Sequence, residues 1–259
     1  MNEASIDLHE LLTLAISVSN EAASLLASRP SNFDIHQKSS AVDFATQMDH
    51  ASEKLIVERI LAARPHDGII GEEGAQRQST SGITWVIDPL DGTVNYFYDL
   101  PGWNVSIAAK DRDGVLVGVV NAPSINSLWT ATRAGGAFKN GAPIRATNPV
   151  ALDRALLGTG FSYSVDTRVG QAQLVESLIP RIRDLRRNGA AAVDLCQVAS
   201  GALDGYFEKD LKEWDLAAGG LIATEAGALV TGRHGGAPGQ EMVIAAGPAL
   251  HAQLLTEIG

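Results

Sequence analysis

Residues 85–93 read Trp85-Val86-Ile87-Asp88-Pro89-Leu90-Asp91-Gly92-Thr93. An apolar strand runs into two aspartates, a proline and a Gly-Thr step. This holds two carboxylates on a stiff turn at the carboxyl end of a strand, where α/β sheets build ligand sites. Hard divalent cations take oxygen ligands held in this way. Pro89 rigidifies the turn and aims the Leu90 carbonyl. Gly92-Thr93 opens a helical turn, and N–H groups in that position suit phosphate oxygens. Read alone, the stretch also fits a solvated loop. Two further acidic sites tip the balance. Gly71-Glu72-Glu73 closes an earlier strand, and Trp214-Asp215 opens a later helix. Singly, the glutamates suit a charged turn and Asp215 a helix cap. Together, Glu72, Asp88, Asp91 and Asp215 point to a two-metal site for phosphate-ester hydrolysis.

Working outward, apolar residues from Leu8 to Leu26 recur at helical spacing and predict a helix over about Asp7 to Ser28, stopped near Pro30. The polar run from Ser31 to Phe44 reads as a loop. A second helix is expected from about Gln47 to Ala63. The period then shortens. Ile69-Ile70 and Thr84 to Ile87 read as strands, and Val105 to Ala109 with Val115 to Val120 as a hairpin. Ser127 to Thr132 is another strand, followed by an Asn140-Gly141 turn. The second half alternates. Strands are expected at Leu156 to Gly158, Asp204 to Glu208 and Met242 to Ala246. Helices are expected at Val169 to Ile179, Ala190 to Ser200, Trp214 to Ala226 and Pro248 to Glu257. The division falls near Thr147-Asn148-Pro149. An α+β half, 1–147, would carry most of the site, and an α/β half, 148–259, would complete one compact unit.

Composition bounds the function. The chain has 259 residues, 45% of them hydrophobic and 19% charged, enough for a sizeable core. Its net charge of -10 argues against non-specific nucleic-acid binding and suits a protein that concentrates cations. A single cysteine, Cys196, excludes an internal disulfide framework and makes a reducing compartment the default. No leader or membrane-length apolar run is visible, so a cytoplasmic location is expected.

Rival chemistries fail on spacing. A cysteine phosphatase needs arginine six residues after its cysteine, where this chain has Ala202. Asp111-Arg112-Asp113-Gly114-Val115 matches an aspartyl-phosphate pattern, but D-G between alternating strands reads as a hairpin turn. The six histidines show no paired metal-ligand spacing. Gly232 to Gly239 lacks the ending of a P-loop. Arg181, Arg183, Arg186 and Arg187 suit either a solvated helix end or an anion or subunit contact.

The three motifs in this order, G-E-E at 71–73, W-V-I-D-P-L-D-G-T at 85–93 and W-D-x-A-A-G at 214–219, closely resemble the inositol monophosphatase family, and actinobacterial members in particular. The stretches Lys38 to Asp43 and Gly189 to Asp194 support the resemblance, which covers nearly the whole chain. It implies a five-layer αβαβα sandwich, a homodimer, and magnesium-dependent, lithium-sensitive phosphatase activity. Glu72, Asp88 and the Leu90 carbonyl would hold one Mg²⁺. Asp88, Asp91 and Asp215 would hold a second, and Glu72 would support a third through water. Thr93 and Asp49 would orient and deprotonate the attacking water. Gly92 and Thr93 would bind phosphate, and Glu208 and Ala191 would line the sugar pocket, with Asp215 at its metal end. Lys38 would lie on a loop covering the metals. The Thr46-Gln47-Met48 run before Asp49 departs from the small polar residues usual there.

The expected substrate is a small phosphorylated polyol, first myo-inositol 1-phosphate, because the Glu208 carboxylate accepts hydrogen bonds from hydroxyls. Histidinol phosphate is the runner-up, since the same carboxylate suits an ammonium group. Fructose 1,6-bisphosphate follows, and a 3′-phosphoadenosine nucleotide after it. The alternative of another class is a non-catalytic regulator that binds a protein or RNA partner, though mere binding has no need of four clustered carboxylates. No nucleic-acid or membrane partner is expected.

Overall fold

The computed structural model describes residues 6–40 and 42–259. The Met1 to Ser5 start, read above as lacking a leader, and Ala41, inside the Lys38 to Asp43 stretch, lie outside the described residues. The chain runs α1 (Leu8–Ala27), β1 (Ile35–Ser40), β2 (Asp43–Thr46), α2 (Gln47–Ala63), β3 (Gly68–Gly71), β4 (Gln76–Arg77), β5 (Thr84–Asp91) and α3 (Thr93–Phe97). It continues through β6 (Asn104–Asp111), β7 (Gly114–Ala122), β8 (Ser127–Thr132), β9 (Gly136–Lys139) and β10 (Ala142–Pro143). The second half holds β11 (Leu156–Thr159), α4 (Val165–Leu178), β12 (Asp184–Arg186), α5 (Ala191–Ala199), β13 (Gly205–Glu208), α6 (Glu213–Glu225), β14 (Leu229–Thr231), β15 (Val243–Ala246) and α7 (Pro248–Ile258).

Strand alternation sorts the core into layers. An eight-stranded sheet has the order β10-β9-β8-β7-β6-β5-β3-β4. Its Trp85, Ile87, Ile107 and Val119 pack with Leu11, Ala15 and Leu26 of α1 and Ile56 and Ile60 of α2. The residues between them, Val86, Ala108 and Val120, face the other way. They share a core with Val193 and Leu195 of α5, Ala218 and Ile222 of α6, and Tyr206 and Val243 of a second sheet. That sheet has the order β12-β11-β13-β15-β14. Its far face, with Leu157, Phe207 and Ile244, is covered by Leu178 of α4 and Leu250 and Leu254 of α7. The layers run helix, sheet, helix, sheet, helix, as the αβαβα expectation has it.

The sequence reading left out the short strands β4 and β14, and two segments that it did read differ in the structure. The Ser31 to Phe44 run is not a loop throughout, since β1 and β2 form an antiparallel hairpin within it. β1 is exposed from Ile35 to Ser39 and among the described residues pairs with β2 alone, so no buried face imposed an alternating pattern on it. The arginine run is a helix end only at Arg181, which closes a short 3-10 turn, Ile179–Arg181, behind α4. α4 begins earlier, at Val165, and stops at Leu178, and Arg186 ends an edge strand parallel to β11. The D-x-D-G segment is the hairpin turn between β6 and β7, with Asp111 held by Arg133 at 2.9 Å.

Candidate functional site

Three residues apart in a regular strand, Asp88 and Asp91 would point to opposite faces. They do not, because β5 bulges between them. Asp88 pairs with Ser106 and Asp91 with Asn104, so three steps on β5 match two on β6. The extra residue restores both carboxylates to the face that meets α5 and α6. The turn is local in origin: the Leu90 N–H donates to Asp88 Oδ1 at 3.0 Å across Pro89. Gly92 follows at φ 83°, a left-handed conformation that favours glycine, and α3 begins at once.

Each carboxylate is braced by a different element. Asp91 Oδ2 accepts from Asn104 Nδ2 at 2.8 Å and from the Ala192 N–H, in the first turn of α5, at 2.9 Å. Asp215 accepts the Lys212 N–H at 2.6 Å, so the helix-cap role is real and occupies one of its oxygens. Glu72 follows β3 and accepts from Lys38 Nζ at 2.9 Å, and the same ammonium also pairs with Glu73. Lys38 itself sits on the β1–β2 hairpin, over this edge of the site. Glu53 of α2 fixes the glutamate turn by accepting the Glu73 and Ala75 N–H groups at 2.9 and 3.0 Å.

Electrostatics mark the cluster as strained by charge. Burial, and then the charges of Glu72, Asp91 and Asp215, raise Asp88 well above the usual carboxylate range. Burial pushes Asp91 up to about 6, against the pull of its Asn104 and Ala192 donors. Asp215 is raised by burial and by Glu72 and Asp91. Like charges held together in a low-dielectric site ask for a counter-cation. Among the described residues, no three His, Cys, Asp or Glu side chains already form a closed ion-holding group. Each carboxylate is turned in part to the protein donor named above. The donor chemistry, all oxygen with a backbone carbonyl beside it, fits a hard divalent cation better than zinc.

Thr93 Oγ1 donates to Asp49 Oδ1 at 2.9 Å and lies 3.1 Å from the Leu90 carbonyl oxygen. Asp49, 1% exposed, is the third residue of α2. Its Oδ2 accepts from both the N–H and the hydroxyl of Thr46 at 2.7 Å. The unusual residue before Asp49 is thus one half of a capping box that holds its carboxylate still. Asp91, Gly92, Ala191, Glu208 and Asp215 line one cavity of about 330 Å³. A separate crevice of about 640 Å³ beside α6, lined by Leu216, Leu221 and Val230, holds none of these carboxylates.

All ten residues singled out from sequence therefore fall in one region, on β5, α2, α3, α5, β13 and α6 and the turn after β3. Sequence reasoning missed Glu53, Asn104, Gly160 and Tyr206, and it named Arg187 only within a cluster suited to a solvated helix end or an anion or subunit contact. Glu53 left a trace: it lies four residues after Asp49 on the face of α2 that carries Ile56 and Ile60. Arg187 and Gly160 both line the cavity, and Gly160 left no trace.

The sequence model of the inositol monophosphatase family matches residues 7–259. The inositol-1-monophosphatase of Mycobacterium bovis is 41% identical over 236 residues, covering 86% of this chain and 81% of that one. The Nus factor SuhB of Pasteurella multocida is 40% identical over 258 residues, covering 97% and 96%. The crystal structure of the extragenic suppressor protein suhB from Bartonella henselae superposes with a TM-score of 0.91 at 29% identity, covering 96% and 98%.

Proposed function

The chain belongs to the inositol monophosphatase family and is a phosphoric monoester hydrolase, and from that premise we propose that it hydrolyses a small polyol phosphate, foremost myo-inositol 1-phosphate, with Mg²⁺ as cofactor. The observation that carries this reading is the β5 bulge. It turns Asp88 and Asp91 to one side, beside the cavity that also presents Asp215 and Glu208. Glu72, Asp88, Asp91, Asp215 and the Leu90 carbonyl would hold the divalent cations, two and with water a third. When bound, such ions polarise the phosphate and make water a stronger nucleophile at neutral pH.

The remaining work falls to the chain. Thr93 Oγ1, fixed by Asp49, orients the attacking water. Asp49 receives the water's proton by way of that hydroxyl, since its own burial raises its proton affinity. The Gly92 and Thr93 N–H groups meet phosphate oxygens. The P–O bond breaks on the side opposite the attacking water, its electron pair goes to the leaving oxygen, and that oxygen takes a proton from solvent water to depart as the alcohol. No covalent enzyme intermediate is needed, and positioning supplies most of the rate.

At the far end of the cavity Glu208 accepts hydrogen bonds from substrate hydroxyls, with Ala191 as a wall. The Arg187 guanidinium on the same cavity disfavours the ammonium group of histidinol phosphate. We expect a homodimer, as in the family that the chain resembles. Among the described residues no helix is long and apolar enough to cross a membrane, and the single cysteine is buried.

The test is phosphate release from inositol 1-phosphate, histidinol phosphate and fructose 1,6-bisphosphate with Mg²⁺, with and without EDTA or Li⁺. Preference for inositol 1-phosphate, lost with EDTA and lowered by Li⁺, supports the reading. Preference for histidinol phosphate keeps the mechanism and changes the substrate. A second reading is favoured by the likeness to a Nus factor over 97% of this chain: a regulatory role through a protein partner of the transcription machinery. Release from none of the three, with retention of RNA polymerase from the same organism, would favour it.

A further inference from the structure

β13 ends in Tyr206-Phe207-Glu208, and β11 runs beside it as Gly158-Thr159 followed by Gly160. The strands are parallel, with Gly158 opposite Tyr206 and Thr159 opposite Phe207. Tyr206 and Glu208 are two apart and share a face of the sheet. Their side chains meet: the Tyr206 hydroxyl donates to Glu208 Oε2. Tyr206 is fully buried in the middle helical layer, so its ring has one setting. Glu208 for its part folds back over the neighbouring strand. A Cβ built on Gly160 would stand 2.0 Å from Glu208 Oε2 and 2.2 Å from its Cδ and Oε1. A Cβ on Gly158 would stand 3.3 Å from the Tyr206 ring. Two glycines on β11 and beyond it therefore leave the space that the Tyr206–Glu208 pair fills.

We propose that Tyr206 and Gly160 are specificity-determining positioning residues, which hold the Glu208 carboxylate across the cavity with Oε2 taken by the phenol and Oε1 free for substrate hydroxyls. This rests on the reading of Glu208 as the polyol acceptor. The consequence is directional. A carboxylate tied at one oxygen presents the other at a fixed place, and hydroxyls there find an acceptor without paying to order it. Untied, the same side chain has several rotamers, and only a fraction of them face the substrate. Displaced by a methyl group at position 160, it has no room in its present setting. Neither residue lies among the groups that act on phosphorus. The device therefore tunes binding of the alcohol portion and leaves the chemistry of the phosphate alone.

The experiment compares two substrates on purified enzyme with Mg²⁺: inositol 1-phosphate, which carries ring hydroxyls, and 4-nitrophenyl phosphate, which carries none. Tyr206→Phe is expected to raise KM for inositol 1-phosphate about tenfold, the size of one lost hydrogen bond to a charged group. Its kcat, and both constants for 4-nitrophenyl phosphate, should stay within about twofold. Gly160→Ala should do the same or more. Joined to Tyr206→Phe, it should add little further, because both act through one carboxylate. Glu208→Gln is the control. An unchanged KM in Glu208→Gln overturns the polyol reading and this proposal with it. A raised KM in Glu208→Gln beside unchanged values in Tyr206→Phe overturns the positioning role alone. Equal losses on both substrates in Tyr206→Phe would mark a merely structural role. If Gly160→Ala does not fold, the Tyr206→Phe comparison decides by itself.

Discussion

At the residue scale, most of the site consists of charges placed where water cannot relieve them. Asp91 is 7% exposed and its proton affinity is raised by burial, yet Asn104 and the Ala192 N–H both donate to it. Asp91→Asn keeps a carbonyl oxygen for those two donors and discards the charge. The expected result is a loss in kcat on the order of 10³-fold with an unchanged far-ultraviolet circular dichroism spectrum, the size of several kcal/mol of charge stabilisation. Retained turnover would remove Asp91 from the metal set. Glu208 gives a pH test. Burial raises it to about 7, with Asp91 and Asp210 adding to the shift and Tyr206 and Arg187 opposing it. Only the ionised form is acceptor-only. KM for inositol 1-phosphate should therefore rise as pH falls through about 7, while KM for 4-nitrophenyl phosphate stays level. A profile from pH 6 to 8.5 reads this directly, and Glu208→Gln should flatten it.

At the element scale, the position of Asp215 depends on how closely α6 lies on the large sheet. Gly118 of β7 sets that distance, because a Cβ there would stand 2.9 Å from the Ala218 carbonyl oxygen and 3.0 Å from its Cα. Both contacts are backbone and have nowhere to go. Gly118→Ala should push α6 outward and carry Asp215 with it. Overpacking of this kind costs about 1–3 kcal/mol, measurable by urea unfolding, and kcat should fall as well. Lowered stability with an untouched kcat would show that α6 tilts without moving its first turn. This close approach was not legible in the sequence, where Gly118 is one small residue in a run of valines. The bulge was half legible. The Asp-Pro-Leu-Asp spacing announced a turn, but the restored facing of Asp91 emerges only from the β5–β6 register. α1 was legible from the apolar stripe it shows to a sheet, whereas α6, lying between the two sheets, was legible from a run of apolar and small residues ended by Gly227. The β1–β2 hairpin was not, because β1 is exposed from Ile35 to Ser39 and only Ala45 and Thr46 of β2 are buried, too few to write a pattern. Gly160 was silent too, since its meaning lies on the neighbouring strand.

At the scale of the whole molecule, the four carboxylates converge from the large sheet and from the helical layer packed on it. Glu72, Asp88 and Asp91 come from the first sheet and its turns, Asp215 from α6, and the same middle core holds Val86 and Trp129 with Val193 and Ala218. If residues 1–147 and 148–259 fold as one unit, as that shared core argues, divalent cations shared among the four carboxylates would tie that unit together. They would also offset repulsion concentrated in a chain already at net charge -10. Ligand binding to the folded state alone stabilises by about 2.7 kcal/mol at one hundred times Kd. For a chain of this size that is roughly 5–10 °C in Tm. Titration with Mg²⁺ in a thermal unfolding experiment should therefore move one transition upward, and EDTA should reverse the move. Raising NaCl to the same ionic strength should not reproduce it, because monovalent salt screens exposed charges and reaches buried ones far less. Asp215→Asn should lose most of the shift while starting from a similar or higher Tm, since one buried, mutually repelled charge is gone. A full shift in that variant would mean that the ion binds elsewhere on the acidic surface. Two separate transitions, only one of them sensitive to Mg²⁺, would mean that the halves fold apart and that the ion is held by one of them.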